Sequence, residues 1–319
     1  MVREVRLSAF CFLPCLLGLT GLSSCRLEPP DPASQAAAIL HKHPSDFLDQ
    51  LASLDALGVR EARTLAATGG NPDEGAPASS QASPAADPRP LLAESLYAYT
   101  LRLRPALAAA ALPDSGAADS ARIAILNAFV FDTLGIRPLL DSAPLAASVP
   151  SLMLARRQGA CVGLVLLYLA LGRSLDLPMV PVFLPGHLFV RYRPAGRPYR
   201  NIETLRRGIA RSDSFYRETF SLGKRPWYSL LDGEPSQALG ALVFNLGNAR
   251  RASGDLAAAR EEYRLTEAAI PGFPEAIGNQ GVCLMMAGDK VGARKKFSAA
   301  LAGDSLAAPA LENLKGLRQ

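Results

Sequence analysis

The sequence predicts an α+β domain built around a thiol, followed by an all-α helical-repeat domain. Three observations carry that expectation. Cys161 follows the small pair Gly159-Ala160 and opens a long apolar segment, Val162 to Leu171, that reads as a helix. His187 follows Pro185-Gly186 and begins the strand-like run Leu188-Phe189-Val190-Arg191-Tyr192. Further on, Asn245-Leu246-Gly247-Asn248-Ala249 with Gly254-Asp255, Ala259, Tyr263 and Pro271 returns 34 residues later as Asn279-Gln280-Gly281-Val282-Cys283 with Gly288-Asp289, Ala293, Phe297 and Ser305.

Taken from the N-terminus, Arg3 and Arg6 flank the start of an apolar run, Leu7 to Leu22, too short and too interrupted by Gly and Ser for a permanent span. It ends in Leu22-Ser23-Ser24-Cys25, which resembles the lipobox of bacterial lipoproteins. That resemblance implies a signal peptide over residues 1–24, lipidation of Cys25, and a chain held to a membrane by acyl groups that contribute about 0.8 kcal/mol per buried CH₂. Arg26 stands where Asp accompanies inner-membrane retention in some Gram-negative bacteria, so the expected location is the cell envelope, at the periplasmic face of the outer membrane. A secretory signal cut elsewhere and a short retained membrane segment are the competing readings.

Residues 25–67 read as a tether with a short helical segment, about Ser34 to Ala67, broken at Pro44. Residues 68–90 are rich in Gly, Pro, Ala and Ser, a composition that buries too little apolar surface to order itself, and read as a linker. The thiol domain is expected over 91–235. Leu92, Leu96, Tyr99 and Leu101, then Ile123, Ile125, Leu126, Phe129 and Val130, lie at helical spacing and predict two packing helices. A low-pattern connection from about Arg211 to Ser236 holds the single Trp227 and leads to the repeats at 236–319, where 307–317 reads as a capping helix.

Within the thiol domain, Cys161, His187 and Glu203 stand in the order of a thiol hydrolase. A thiol nucleophile needs a base to take its proton, and the base needs a third group to orient it. His187 is the one histidine after residue 43. Pro194-Ala195-Gly196 suits a three-residue hairpin loop, with Pro starting a type I turn and Gly in the left-handed position. A turn centred on Ala195 pairs His187 with Glu203, Phe189 with Asn201 and Leu188 with Ile202, and directly opposed Cβ atoms lie about 4.5–5.5 Å apart. A bulge at Gly196 would shift that register by one, and this makes Asn201 the reserve orienting residue. A helix starting at Cys161 sets the sulfur near free N–H groups and the positive end of the dipole, an environment that favours thiolate and is reinforced by Arg156 and Arg157. The Cys161 N–H is the natural first oxyanion donor, and Gln158 is a candidate second.

Leu154 to Cys161, with Leu167-Tyr168-Leu169-Ala170, Pro185-Gly186-His187 and Asn201-Ile202-Glu203, resembles the transglutaminase-like superfamily over roughly residues 95–210, nearest to its branch of SirB1-type domains. The resemblance implies a papain-like α+β fold and acyl transfer through a thioester, with Cys161 as nucleophile, His187 as base and Glu203 as orienting acid. The family more often carries Asp at the last position, and some members of that branch lack the Cys altogether. The 34-residue pattern resembles two tetratricopeptide repeats, whose small residues let paired helices approach while Tyr or Phe fills the space between them. Cys283 falls on an inward helical position and reads as packing.

Each residue alone has a plainer reading. A free Cys among small apolar residues is commonly a packed hydrophobe, and a lone His or Glu is commonly structural or solvated. Of the five cysteines, Cys11 and Cys15 leave with the signal and Cys25 takes the lipid, so no disulfide framework is expected between Cys161 and Cys283. No Cys or His spacing suits a metal, no cofactor is implied, and His41 and His43 read as solvent-facing. A net charge of +5, barely changed when Arg3, Glu4 and Arg6 leave, and no basic run with interleaved aromatics argue against a nucleic-acid partner. Arg206, Arg207 and Arg211 read as a solvated rim that can greet an acidic substrate. The expected function is cysteine-dependent acyl transfer on peptide or protein amides, by hydrolysis or transfer to an amine, with a protein partner open for the repeat groove. The alternative is a non-catalytic envelope scaffold that uses both domains for binding.

Overall fold

A computed structural model describes residues 31–40, 47–67, 89–110, 115–140 and 143–317. Cys25, Pro44, His41, His43 and the 68–88 part of the expected linker lie outside the described residues. Two helices come first, α1 (Pro32–Leu40) and α2 (Phe47–Ala67), then α3 (Arg89–Ala109) and α4 (Gly116–Asn127), the last continued by a π-helical turn over Ala128–Thr133. A two-residue strand β1 (Arg137–Pro138) pairs in parallel with β2 (Gln158–Gly159), and the short helix α5 (Pro150–Arg156) lies between them. Next come α6 (Cys161–Ser174) and the antiparallel sheet of β3 (Met179–Leu184), β4 (His187–Tyr192), β5 (Arg200–Glu203) and β6 (Ile209–Arg211), in chain order. Helix α7 (Asp213–Thr219) leads to the C-terminal helices α8 (Pro235–Ala252), α9 (Leu256–Ala269), α10 (Pro274–Met286), α11 (Lys290–Gly303) and α12 (Ala308–Gly316).

Helix α6 is the hub. Every residue from Val162 to Gly172 is buried, as an apolar sequence without a polar stripe requires. It packs on β3 and β4, and also on α3, α5 and α8. Its first turn approaches the 145–148 segment so closely that a Cβ on Gly163 would stand 2.4 Å from the Ala147 carbonyl oxygen, so only glycine fits there. The other face of the sheet buries Val182, Leu184 and Phe189 against Tyr216, Leu222, Tyr228 and Leu230.

The hairpin corrects the expected register. Val190 pairs with Ile202, Arg191 with Asn201 and Tyr192 with Arg200, a shift of two from the pairing centred on Ala195. The connection is longer than three residues because its tip is pinned to α4. Arg197 grips the buried Asp119 through Nε at 2.8 Å and through a second nitrogen at 2.9 Å, and Tyr192 donates its hydroxyl to the same carboxylate. The turn closes from Arg197 N–H to the Pro194 carbonyl at 3.3 Å with Gly196 at φ +70, so Pro194 opens the turn and the glycine takes the left-handed site. A shift of two preserves the face of each side chain, since strand side chains alternate with period two.

Over residues 32–40 and 47–67 the N-terminal segment is packed helix, not a tether. Helix α2 buries Leu51, Leu54, Leu57 and Leu65 in a core shared with α3, α6 and α8. Asp55 accepts a 2.7 Å bond from the Ser151 N–H, capping the start of α5, and Glu61 forms an ion pair with Arg250 of α8. In α3 the buried stripe runs through Leu92, Leu96, Leu103 and Leu107, whereas Leu101 is more than half exposed.

The last helices repeat their geometry as well as their sequence. Gly247 lies against the Tyr263 ring and Gly281 against the Phe297 ring, at positions where a Cβ would clash. Asp255 caps α9 through the Ala258 N–H and Asp289 caps α11 through the Gly292 N–H, after Gly254 and Gly288 at φ +88. Cys283 is buried. The boundary near 235 opens α8, yet one continuous core joins α8 to α6. Trp227, from the connection, donates through its backbone to Gly303 and through Nε1 to Pro271, fixing the sheet domain to these helices.

Candidate active site

Cys161 is the first residue of α6, following Ala160 in extended conformation. Its N–H and those of the next residues have no intrahelical carbonyl to bond, so the helix start points free donors and its positive end at the thiol. His187 is the first residue of β4. The Pro185-Gly186 turn sets it there, with Gly186 at φ +65, a conformation that favours glycine. Glu203 closes β5 and is buried.

The His187 Nε2 lies 3.1 and 3.0 Å from the two Glu203 oxygens. The observed register makes the two residues diagonal neighbours on one face, not directly opposed, and their long side chains bridge that gap. Cys161 lines the same cleft as this imidazole and makes it harder to deprotonate. With Nε2 committed to Glu203, Nδ1 is the nitrogen left for sulfur. Burial alone would push the His187 imidazolium down, but its bonds to Cys161 and Glu203 and their negative charge outweigh it and hold the group up at about 9.

Glu203 is itself held. Its Oε1 accepts from the Leu205 N–H at 3.1 Å and its Oε2 from the Tyr216 hydroxyl at 3.1 Å. Burial and the Glu203 charge push the Tyr216 phenol up, so it stays a donor. Its ring stacks on Phe189 with centroids 4.1 Å apart, and Phe220 stacks on His187 at 6.1 Å. The sequence offered one signal for these two residues, the i, i+4 aromatic spacing of Tyr216 and Phe220 after the capping Ser212.

The structure separates the reserve candidates from the site. Asn201 accepts from the Arg191 Nε at 2.8 Å and donates to the Arg211 carbonyl and to Asp213, so it serves the buried Arg191 and does not reach His187. Gln158 belongs to β2, paired with Arg137, and is not among the residues lining the cleft. Arg156 and Arg157 do not line it either; Arg206 and Arg211 do.

The cleft, of about 960 Å³, is lined by Cys161, His187 and Glu203 and also by Asn245, Asn248 and Ala249 of α8. Asn245 donates to Ser148 at 2.9 Å, tying α8 to the segment in front of α5. Among the described residues no group of three or more His, Cys, Asp or Glu is arranged to hold a metal, and no helix is long and apolar enough to cross a membrane.

Residues 93–217 match the family model of the transglutaminase-like superfamily, and the chain carries a domain of that superfamily there. The matched span holds Cys161, His187, Glu203 and Tyr216. No curated protein matches the chain.

Proposed function

We propose that this chain is a cysteine-dependent acyl-transfer enzyme acting on peptide or isopeptide amides. One observation carries the reading: a single imidazole that shares the cleft with a helix-start thiol and lies within 3.1 Å of both oxygens of a buried glutamate. The Cys161 sulfur attacks the amide carbonyl carbon, forming the S–C bond while the carbonyl oxygen takes the negative charge. The Cys161 N–H, at the free end of α6, donates to that oxygen. The imidazolium of His187 passes its Nδ1 proton to the leaving amine as the C–N bond breaks, giving a thioester. Water or an acceptor amine then gives a proton back to Nδ1 and attacks the thioester, and the thiolate leaves. Glu203 keeps the ring in place and favours the imidazolium throughout.

The finer parts of the reading come from the sequence. The Leu22-Ser23-Ser24-Cys25 segment supports lipidation at Cys25 and an envelope location, with the outer membrane favoured by Arg26. The 34-residue repeat and its paired glycine–ring contacts support two tetratricopeptide repeats capped by α12, with a protein partner as the use of any groove beyond the cleft. Incubating the protein with envelope peptide fractions, quenching in acid and digesting tests the central claim. The expected product is an acyl adduct on the Cys161 peptide, lost in Cys161→Ala and unable to form in His187→Ala. If no adduct forms with any fraction and the Cys161 thiol proves inert, the chain is a binding scaffold.

A further inference from the structure

We infer that the cleft selects an acyl donor bearing a carboxylate, held by Arg211 and Arg206 beside the Cys161 thiol; this inference rests on the acyl-transfer reading above. Besides Cys161, the ionisable residues lining the cleft are His187, Glu203, Arg206 and Arg211. His187 and Glu203 satisfy each other. That leaves two guanidinium groups, and neither has a carboxylate partner among the described residues. The neighbouring Arg207 behaves differently: it forms an ion pair with Asp132 and stacks over Phe131, away from the cleft.

Arg211 is the better placed of the two. It ends β6, where the Asn201 amide fixes its carbonyl at 3.0 Å, so it stands on a rigid edge of the sheet. Its guanidinium lies over the Phe215 ring at 4.7 Å, and its Nε is buried with no hydrogen-bond partner among the described residues. With no carboxylate partner among the described residues, the guanidinium keeps its terminal N–H donors for a ligand oxygen. The planar fork of a guanidinium matches a carboxylate, and a concave wall of one sign concentrates such ligands. The remaining lining is apolar or neutral, with Leu140, Leu205, Phe220, Asn245 and Asn248 suited to a short peptide around its acidic group. A side-chain carboxylate and a free terminal carboxylate share this chemistry.

The test compares alkylation of Cys161 by iodoacetate and by iodoacetamide, which differ in one negative charge. In the full chain, Arg211→Gln should lower the iodoacetate-to-iodoacetamide rate ratio by about threefold to tenfold, and Arg206→Gln by less, at low salt. Arg207→Gln removes the same charge outside the cleft and should leave the ratio within twofold. N-acetyl-alanyl-alanine, its C-terminal amide, and N-acetyl-glutamyl-alanine amide then serve as protectants against iodoacetamide. Protection by either acid but not by the neutral amide supports the inference, and the more protective acid identifies the source of the carboxylate. Fast iodoacetamide labelling with a ratio unchanged in Arg211→Gln overturns the inference while leaving the acyl-transfer reading intact. Slow labelling by both reagents removes the acyl-transfer reading, and the inference falls with it.

Discussion

The carboxylate of Glu275, in helix α10, accepts a hydrogen bond of 2.9 Å from the Gly186 N–H, one residue ahead of His187. The same carboxylate accepts from the Tyr228 hydroxyl. The turn that aims the imidazole is thus anchored by the C-terminal helices, and α8 supplies part of the cleft lining. A site encoded between residues 161 and 203 is completed by residues some 40 to 90 positions further on.

This anchor predicts a remote effect. Glu275→Ala should lower Cys161 alkylation about tenfold near pH 7 and move its pH profile, because the His187 turn loses its fixed end. Glu275→Gln keeps an acceptor oxygen and should be milder. A Glu275→Ala profile identical to the parent's would mean that the bond is structural only.

Tyr216→Phe keeps the ring stacked on Phe189 and removes one donor from Glu203. A hydrogen bond to a charged group contributes about 1.5–3 kcal/mol net, so turnover or labelling should fall by about tenfold to a hundredfold with the fold intact. Steady-state rates and thermal melts of the variant check both halves. An unchanged rate with a lowered melting temperature would assign Tyr216 to packing alone.

Three buried groups with raised values contribute to the response of stability to pH. Burial lifts the Glu262 carboxyl from 4.5 to about 8, and neither of its oxygens has a hydrogen-bond partner among the described residues. Burial likewise raises Asp55 from 3.8 to about 6, against the pull of its Ser151 bonds, and His187 rises from 6.5 to about 9. Each folded form prefers its proton, so the associated stability is complete below the unfolded value and is lost as pH rises through the folded one. Melting temperature should therefore fall from pH 5 to pH 9. Glu262→Gln retains the shape and should make the fall between about pH 4.5 and 8 shallower, leaving the limbs that belong to Asp55 and His187. A parent protein that grows more stable over pH 5–8 would contradict this assignment.

The composition of the 68–90 segment predicts that protease cuts first between about Gly69 and Ala86. The packing of α1 and α2 predicts that the N-terminal piece stays bound after the cut, through Leu51, Leu54 and the Glu61–Arg250 ion pair. Gel filtration of nicked protein checks this; free elution of the small fragment would restore the tether.

What was legible in the sequence was local. Residue types and a two-residue period put His187 and Glu203 on one face, and that survives a register error of two because such a shift keeps parity. The error arose because nothing near Ala195 reveals that Arg197 reaches back to Asp119. The same shift sends Asn201 to Arg191, so the reserve role given to it fails for a reason written in α4. Tyr216, Glu275 and Asn245 were missed because their partners lie far off in the chain. A helical segment near Ser34 to Ala67 is legible, but its docking is not, because an amphipathic stripe announces burial and not what it is buried against.

The central claim is tested most directly by mapping iodoacetamide labelling at Cys161 and Cys283 in the same molecules at pH 7. Cys283 is buried, and burial pushes its thiol up, so it serves as an internal reference. Cys161 should be labelled at least about a hundredfold faster than Cys283 and faster than free cysteine, and His187→Ala should abolish the advantage. Labelling of Cys161 no faster than free cysteine, or unaffected by His187→Ala, would contradict the central claim.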